Sequence, residues 1–308
     1  MNEKQILDIL RRNYGESIQT VEFLRKGGSE SYLVRGQDRT YLLKIVGSAF
    51  LETAAQAVSI QAHLWERGFP VPAVIPTVNG RNMLERAEQD EKTVWILYEY
   101  LEGVEPDIDR RAGDIGALVG RMHKLMEQYG GPLTVRDRDF FLGRYLDILR
   151  KKGYPRADIY ARLGAELWAM VQDTPAGFCH GDLHRGNLLE TADGTIYVLD
   201  FDTACQAPRM FDVMVMCDTT NYFERSAGDV QRAAAVLERF AAGYTRHMAL
   251  PEAECRTFYA WVAIRHFQLQ ATIVEVHGLD CIDERFLDWQ LDWLRSWCGD
   301  CGLTACIP

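Results

Sequence analysis

The run His180-Gly181-Asp182-Leu183-His184-Arg185-Gly186-Asn187, followed by Val198-Leu199-Asp200-Phe201-Asp202, gathers carboxylates and an amide at short spacings. Asn187 follows Asp182 by five residues and Asp200 follows Asn187 by thirteen, gaps that a tight loop and a short hairpin can close. Groups gathered in this way offer oxygen ligands to Mg²⁺, a hard cation that commonly also bridges substrate phosphates. With two of the three groups on the metal, the third is free to orient an acceptor hydroxyl. That is the layout of phosphoryl transfer, where catalysis is mostly positioning and electrostatics. An Asp after Gly181 could also be a plain turn residue, but its spacing to Asn187 and Asp200 favours the chemical role. His180 lacks the His or Cys neighbours that a metal ligand usually has and is expected to pack beneath the loop. His184 is a loop residue facing either phosphates or solvent.

The elements that must position these groups change character along the chain. Val21–Leu24, Ser31–Val34, Thr40–Val46 and Thr93–Tyr98 are rich in β-branched and aromatic residues and read as strands. One helix, about Ala49 to Glu66, interrupts them and is stopped by Gly68 and Pro70. Past residue 105 helical spacing takes over: Ile115, Leu118, Val119, Met122, Leu125 and Met126 form one apolar face, and 229–248, 252–277 and 283–297 read the same way. The expected fold is α+β and bilobal. A small antiparallel-sheet lobe over 1–102 binds nucleotide, and a larger, mainly helical lobe over 103–308 carries catalysis and the acceptor. The join, Tyr98 to Gly103, has no long Pro/Ser linker, so the lobes are expected to meet across a cleft.

On these motifs the sequence resembles the aminoglycoside phosphotransferase family of protein-kinase-like fold, whose relatives include choline, homoserine, fructosamine and methylthioribose kinases. The family loop reads H-G-D-x-x-x-x-N where protein kinases have H-R-D, and no A-P-E-like segment follows Asp200. The resemblance covers most of residues 20 to 215. It implies ATP and Mg²⁺ as cofactors, with Asp182 as base and Asn187 and Asp200 as metal ligands. Gly27, Gly28 and Ser29 would be the turn that covers the phosphates, Lys44 the strand lysine that reaches them, and the backbone of Glu99, Tyr100 and Leu101 the hinge that receives the base. Leu64 to Pro72 matches the end of the family's first helix, and Leu118 to His123 a later helix. Asp212 matches an aspartate that begins a helix and braces the catalytic loop.

Two positions depart from the pattern. The helix glutamate that usually pairs with the strand lysine is Ala57 here; Gln56 is a neighbour, and Glu52 lies about 140° around the helix. The glycine of D-F-G is Asp202, which the resemblance allows as a support to the metal site. Ala57 motivates the alternative of a catalytically weak nucleotide-binding relative with a scaffolding role.

The rest of the sequence bounds the partners. A net charge of −10 over 308 residues disfavours nucleic acid, which usually meets a basic patch. Apolar runs are far short of the ~20 residues of a membrane span, and the mixed-charge N-terminus is no secretory signal, so a cytoplasmic location is expected. All eight cysteines lie after residue 178 and are expected as reduced thiols. Cys298, Cys301 and Cys306, with Cys281 upstream, are spaced too loosely for a zinc site. The acceptor is a small-molecule alcohol. An amine on it would suit the acids, so homoserine, choline and an aminoglycoside all qualify, with Asp218, Tyr222, Glu224, Trp261, His266 and Glu275 as wall residues. Arg209 reads either as a partner for a substrate carboxylate or as a surface arginine. Trp289, Trp293 and Trp297 read as a core or interface stripe. Oligomeric state is left open.

Overall fold

The computed structural model describes residues 1–88 and 91–303. Their contacts divide the chain into two units: Met1–Pro106 with Gln128–Pro132 and Arg185–Ala204, and Asp107–Glu127 with Leu133–His184 and Cys205–Pro308. Neither unit is therefore continuous in sequence.

The first unit is an antiparallel sheet with a helix on each face. Its strands are β1 Ile18–Lys26, β2 Ser29–Gly36, β3 Thr40–Gly47, β4 Val74–Ile75, β5 Leu84–Glu88 and β6 Glu91–Glu99, in the order β1-β2-β3-β6-β4 with β5 also on β6. Helix α1, Glu3–Tyr14, starts with a capping box in which Asn2 and Gln5 bond each other's backbone amides. It sets Ile6 and Leu10 against Ile18, Tyr32, Leu43, Trp95 and Leu97. Helix α2, Leu51–Glu66, sets Ala54 and Val58 against Val46, Val94, Ile96 and Tyr98. The two-residue period of a strand puts Leu43 and Ile45 on the α1 side, so Leu42, Lys44 and Val46 share the other. The expected helix from Ala49 begins as a 3₁₀ turn, Ser48–Phe50, before α2. Leu188–Glu190 and Ile196–Val198 form a hairpin in the same unit.

In the second unit lie α3 Ile108–Met126, α4 Arg144–Lys152, α5 Ala157–Val171, α6 Met210–Cys217, α7 Asp229–Tyr244, α8 Glu252–Arg256, α9 Phe258–His277 and α10 Glu284–Asp300. Where one helix was expected over 252–277, the chain breaks at Thr257, whose hydroxyl bonds the Glu254 carbonyl. Helices α3 and α7 cross with almost no gap. A Cβ on Gly116 would sit 2.0 Å from the Phe240 carbonyl oxygen, and one on Gly120 2.5 Å from that of Tyr244. Three short strands, Thr134–Val135, Cys205–Pro208 and Ala176–Cys179, pair in that order, with Cys205 opposite Cys179. Trp293 and Trp297 are buried and donate their ring N–H to the carbonyls of Asn221 and Tyr259, which makes that part of the stripe core, while part-buried Trp289 stacks on exposed Phe223.

Among the described residues the cysteines are free thiols, and no three His, Cys, Asp or Glu side chains cluster as metal ligands. Cys306 lies outside the described residues. No helix among them is long and apolar enough to cross a membrane.

Candidate active site

In the first unit a pocket of about 670 Å³ is lined by Gly27, Gly28, Ser29, Leu42, Lys44, Tyr98, Glu99, Tyr100, Leu101, Asn187, Leu189, Leu199, Asp200 and Asp202, among others. All seven residues expected at the nucleotide and both expected metal ligands are in that lining.

Each arrives for a local reason. Gly27 and Gly28 form the tip of the β1–β2 hairpin, closed by the Gly27 amide on the Ser29 carbonyl at 3.0 Å. A Cβ on either would meet nothing within 4 Å, so packing does not demand glycine; its absent side chain leaves room in the pocket. Lys44 sits in β3 opposite Ile96, on the strand face fixed above. Asn187 ends a 3₁₀ turn and its carbonyl accepts the Leu199 amide at 2.9 Å, which closes the thirteen-residue gap around the hairpin and brings Asp200 alongside. Gly194, at φ +83°, makes the hairpin's turn. Asp200 is the one non-glycine with positive φ, +59°, among the described residues. Such outliers persist only where the surroundings over-determine them and cluster at functional sites; buried Phe201 anchors this one.

Lys44 Nζ donates to Asp200 Oδ1 at 3.0 Å and to Asp202 Oδ2 at 2.5 Å. Burial alone would lower the lysine's pKa, but the two carboxylates outweigh it and hold it above its usual value. The partner sought on α2 is therefore supplied by the D-F-D segment. Ala57 is fully buried, and its neighbour Gln56 instead donates to the Ala204 carbonyl at 2.6 Å, tying α2 to that same segment.

The hinge backbone is more selective than the sequence implied. The Glu99 amide donates to Ala73 and the Tyr100 amide to Thr40. Among the described residues the Leu101 amide has no such backbone partner.

In the second unit, Cys179 ends a strand and leads into buried His180 and then part-exposed Gly181 and Asp182. Gly181 has φ +85°, a conformation costly for a side-chain-bearing residue, which explains glycine there. Asp212, fully buried near the start of α6, accepts the His180 amide at 2.6 Å and the Gly181 amide at 3.0 Å. His123 Nε2 lies 3.1 Å from Asp212 Oδ2, and its Nδ1 lies 2.8 Å from the Tyr244 hydroxyl. With the carboxylate accepting, Nε2 carries the proton and Nδ1 accepts from tyrosine. The close α3–α7 crossing is what lets Tyr244 reach His123. His180 is completely buried, as expected, and its Nδ1 accepts the Asp182 amide at 3.4 Å.

The Asp182 side chain is half exposed, with Oδ2 3.5 Å from His184 Nε2. Burial pushes its pKa up, but the His184 hydrogen bond and the charges of His184, His180 and Arg265 more than offset that, and the carboxyl lies below its ordinary range. It is ionised at neutral pH and can accept a proton.

Of the expected wall residues Trp261 and His266 prove to be core, Tyr222 is part-buried, and Glu224 and Glu275 are exposed. Trp261 is buried among Phe141, Phe211 and Trp168. Tyr222 stacks on His266 and bonds Gln270 and Gln290, and Glu275 pairs with Arg144 at 2.6 Å. Arg209 lies over Gly177. Asp218 remains, beside Arg265, which sequence reasoning missed because one arginine within a helix carries no local signature.

A lysine clasped by two aspartates in a glycine-tipped pocket and a braced H-G-D loop define a kinase-like phosphotransferase. The pattern of the phosphotransferase enzyme family matches residues 20–253. The chain belongs to that family and is a small-molecule kinase. A homoserine kinase of Methylobacillus flagellatus is 23% identical over 216 residues, 69% of this chain and 66% of its own length. An amicoumacin kinase solved with AMP-PNP and Ca²⁺ superposes with a TM-score of 0.74 at 17% identity, over 100% of this chain and 96% of that one. A microcompartment-associated aminopropanol kinase gives 0.72 at 18%, over 97% and 95%. The kinase-like α+β fold expected from the sequence holds.

Proposed function

We propose that this chain transfers the γ-phosphoryl group of ATP, with Mg²⁺, to a hydroxyl of a small amine-bearing molecule. The observation that carries this reading is Lys44 Nζ held between Asp200 and Asp202 in the glycine-tipped pocket. An ammonium so placed is ready to exchange carboxylate for phosphate oxygen. The leucines at 42, 189 and 199 and the ring of Tyr98 suit a planar base, with the Leu101 amide as donor.

Asn187 and Asp200 offer only oxygen for a hard cation, and the absence of a self-sufficient ligand cluster among the described residues fits an ion completed by substrate phosphates. These two residues would hold Mg²⁺, which when bound neutralises phosphate charge. Asp182 takes the acceptor hydroxyl's proton as the new O–P bond forms and the bond to the ADP oxygen breaks. Gly27, Gly28 and Ser29 cover the phosphates. The motive for a catalytically weak relative was a missing lysine partner; Asp202 in that role supports the catalytic reading.

The test is ADP release from Mg·ATP across a panel of amine-containing and sugar alcohols. Release that depends on acceptor is expected. Mg·ATP binding without it for any acceptor would favour the scaffolding reading.

A further inference from the structure

Beside the loop of Asp182, the helical unit holds a charged pair that the reaction as described does not use. Arg265, within α9, is part-exposed, and its Nη1 lies 3.7 Å from Asp218 Oδ2. That is too long for a hydrogen bond, and among the described residues the guanidinium makes no other polar contact. An arginine offers five N–H donors in a rigid fork that matches a carboxylate. Here the fork meets Asp218 only in this loose ion pair.

Asp218 follows α6 and its side chain is almost buried, at 9% exposure. Its Oδ1 accepts the Thr220 amide at 2.9 Å and the Thr220 hydroxyl at 2.7 Å, so Oδ2 is the oxygen turned to Arg265. In the same turn Thr219 Oγ1 is buried with no partner, a state that costs free energy unless something fills it. Arg265 is also close enough to Asp182 to help keep that carboxyl ionised. The helical unit thus holds a base, a loosely paired carboxylate and guanidinium, and, in the turn that follows the carboxylate, an orphan hydroxyl.

We infer that Arg265 binds a carboxylate of the acceptor and Asp218 its ammonium, so that the acceptor is a hydroxy-α-amino acid, in preference to a simple amino alcohol or a quaternary amine. This rests on Asp182 being the base. The amine alone would find Asp218 already faced by a positive charge; a zwitterion satisfies both members of the pair and leaves its hydroxyl for Asp182.

Three matched acceptors separate the contacts: L-homoserine, 3-amino-1-propanol, which lacks only the carboxylate, and 4-hydroxybutanoate, which lacks only the amine. ADP release from Mg·ATP is measured with the full chain and with Arg265→Met, Arg265→Lys and Asp218→Asn. The wild type should prefer homoserine to aminopropanol by about tenfold or more in kcat/KM, since a site built for a polar group rejects the analogue without it. Arg265→Met should bring that ratio to within about threefold, chiefly through the KM for homoserine, with Arg265→Lys between. Asp218→Asn should instead narrow the preference for homoserine over hydroxybutanoate. Equal use of homoserine and aminopropanol by the wild type overturns the inference, as does an equal loss of both in Arg265→Met, which would mark a structural ion pair only. If none of the three is turned over while another alcohol releases ADP, the acceptor inference fails and the kinase reading stands. If no alcohol of any kind releases ADP, both fall.

Discussion

Lys44 and Asp212 each hold several neighbours in place, and they do so in opposite ways. Lys44 clasps Asp200 and Asp202 with carboxylates that are 40% and 36% exposed, so water or a ligand can enter and exchange partners. Asp212 clasps two loop amides and His123 where both side chains have no exposure at all. A half-exposed ion pair is worth little to stability and can be remade around phosphate. A buried carboxylate with three hydrogen-bonded neighbours is costly to disturb and fixes a loop for good. On the proposed function, the adaptable electrostatics lie where the ligand binds and the rigid electrostatics where the base is aimed.

The contrast breaks most visibly at Asp212. Asp212→Ala strands the His180 and Gly181 amides and His123, and should destabilise by about 3–5 kcal/mol; denaturant unfolding would show it, and an unchanged midpoint would deny the brace. Lys44→Met should leave the fold close to native while lowering kcat/KM for ATP by on the order of 10²-fold. The carboxylates hold the ammonium above its usual pKa, so the stability they share with it is complete below about pH 10.4 and is lost only as pH rises through the folded value. The melting gap between wild type and Lys44→Met should accordingly be flat from pH 6.5 to 9. The smallest effect is expected from Tyr244→Phe, which removes one hydroxyl from His123 Nδ1 and should cost about 1 kcal/mol. Its kcat should fall more than its affinity for Mg·ATP if the chain of bonds from α7 aims the loop.

Legibility in the sequence followed the range of the contacts. The H-G-D loop, the Asn187–Asp200 gap and the Gly27–Gly28 tip are set by turns and a hairpin within a few residues of themselves, and spacing alone exposes them. The strand alternation around Lys44 likewise fixes its face. Its partner does not follow from any local pattern: Asp202 is 158 residues away, and the helical register pointed to Ala57, a position that proves to be buried apolar packing. The core place of Trp261 and His266 and the pairing of Glu275 with Arg144 were hidden because helical periodicity says which side of α9 is apolar, not which polar groups find partners on other helices. Helix α1 was missed although Asn2 and Gln5 carry a capping signal, and the break at Thr257 is a single side-chain bond inside an otherwise continuous period.

The central claim is that Asp182 is the base on a loop whose nucleotide partners lie elsewhere in the chain. It is tested most directly by Asp182→Asn, with acceptor-dependent turnover and Mg·ATP affinity measured on the same preparation. Turnover should fall by about 10²–10⁴ while nucleotide affinity stays within about threefold. Near-native turnover would contradict the assignment of the base. Loss of nucleotide affinity in step with turnover would instead make Asp182 part of the nucleotide site.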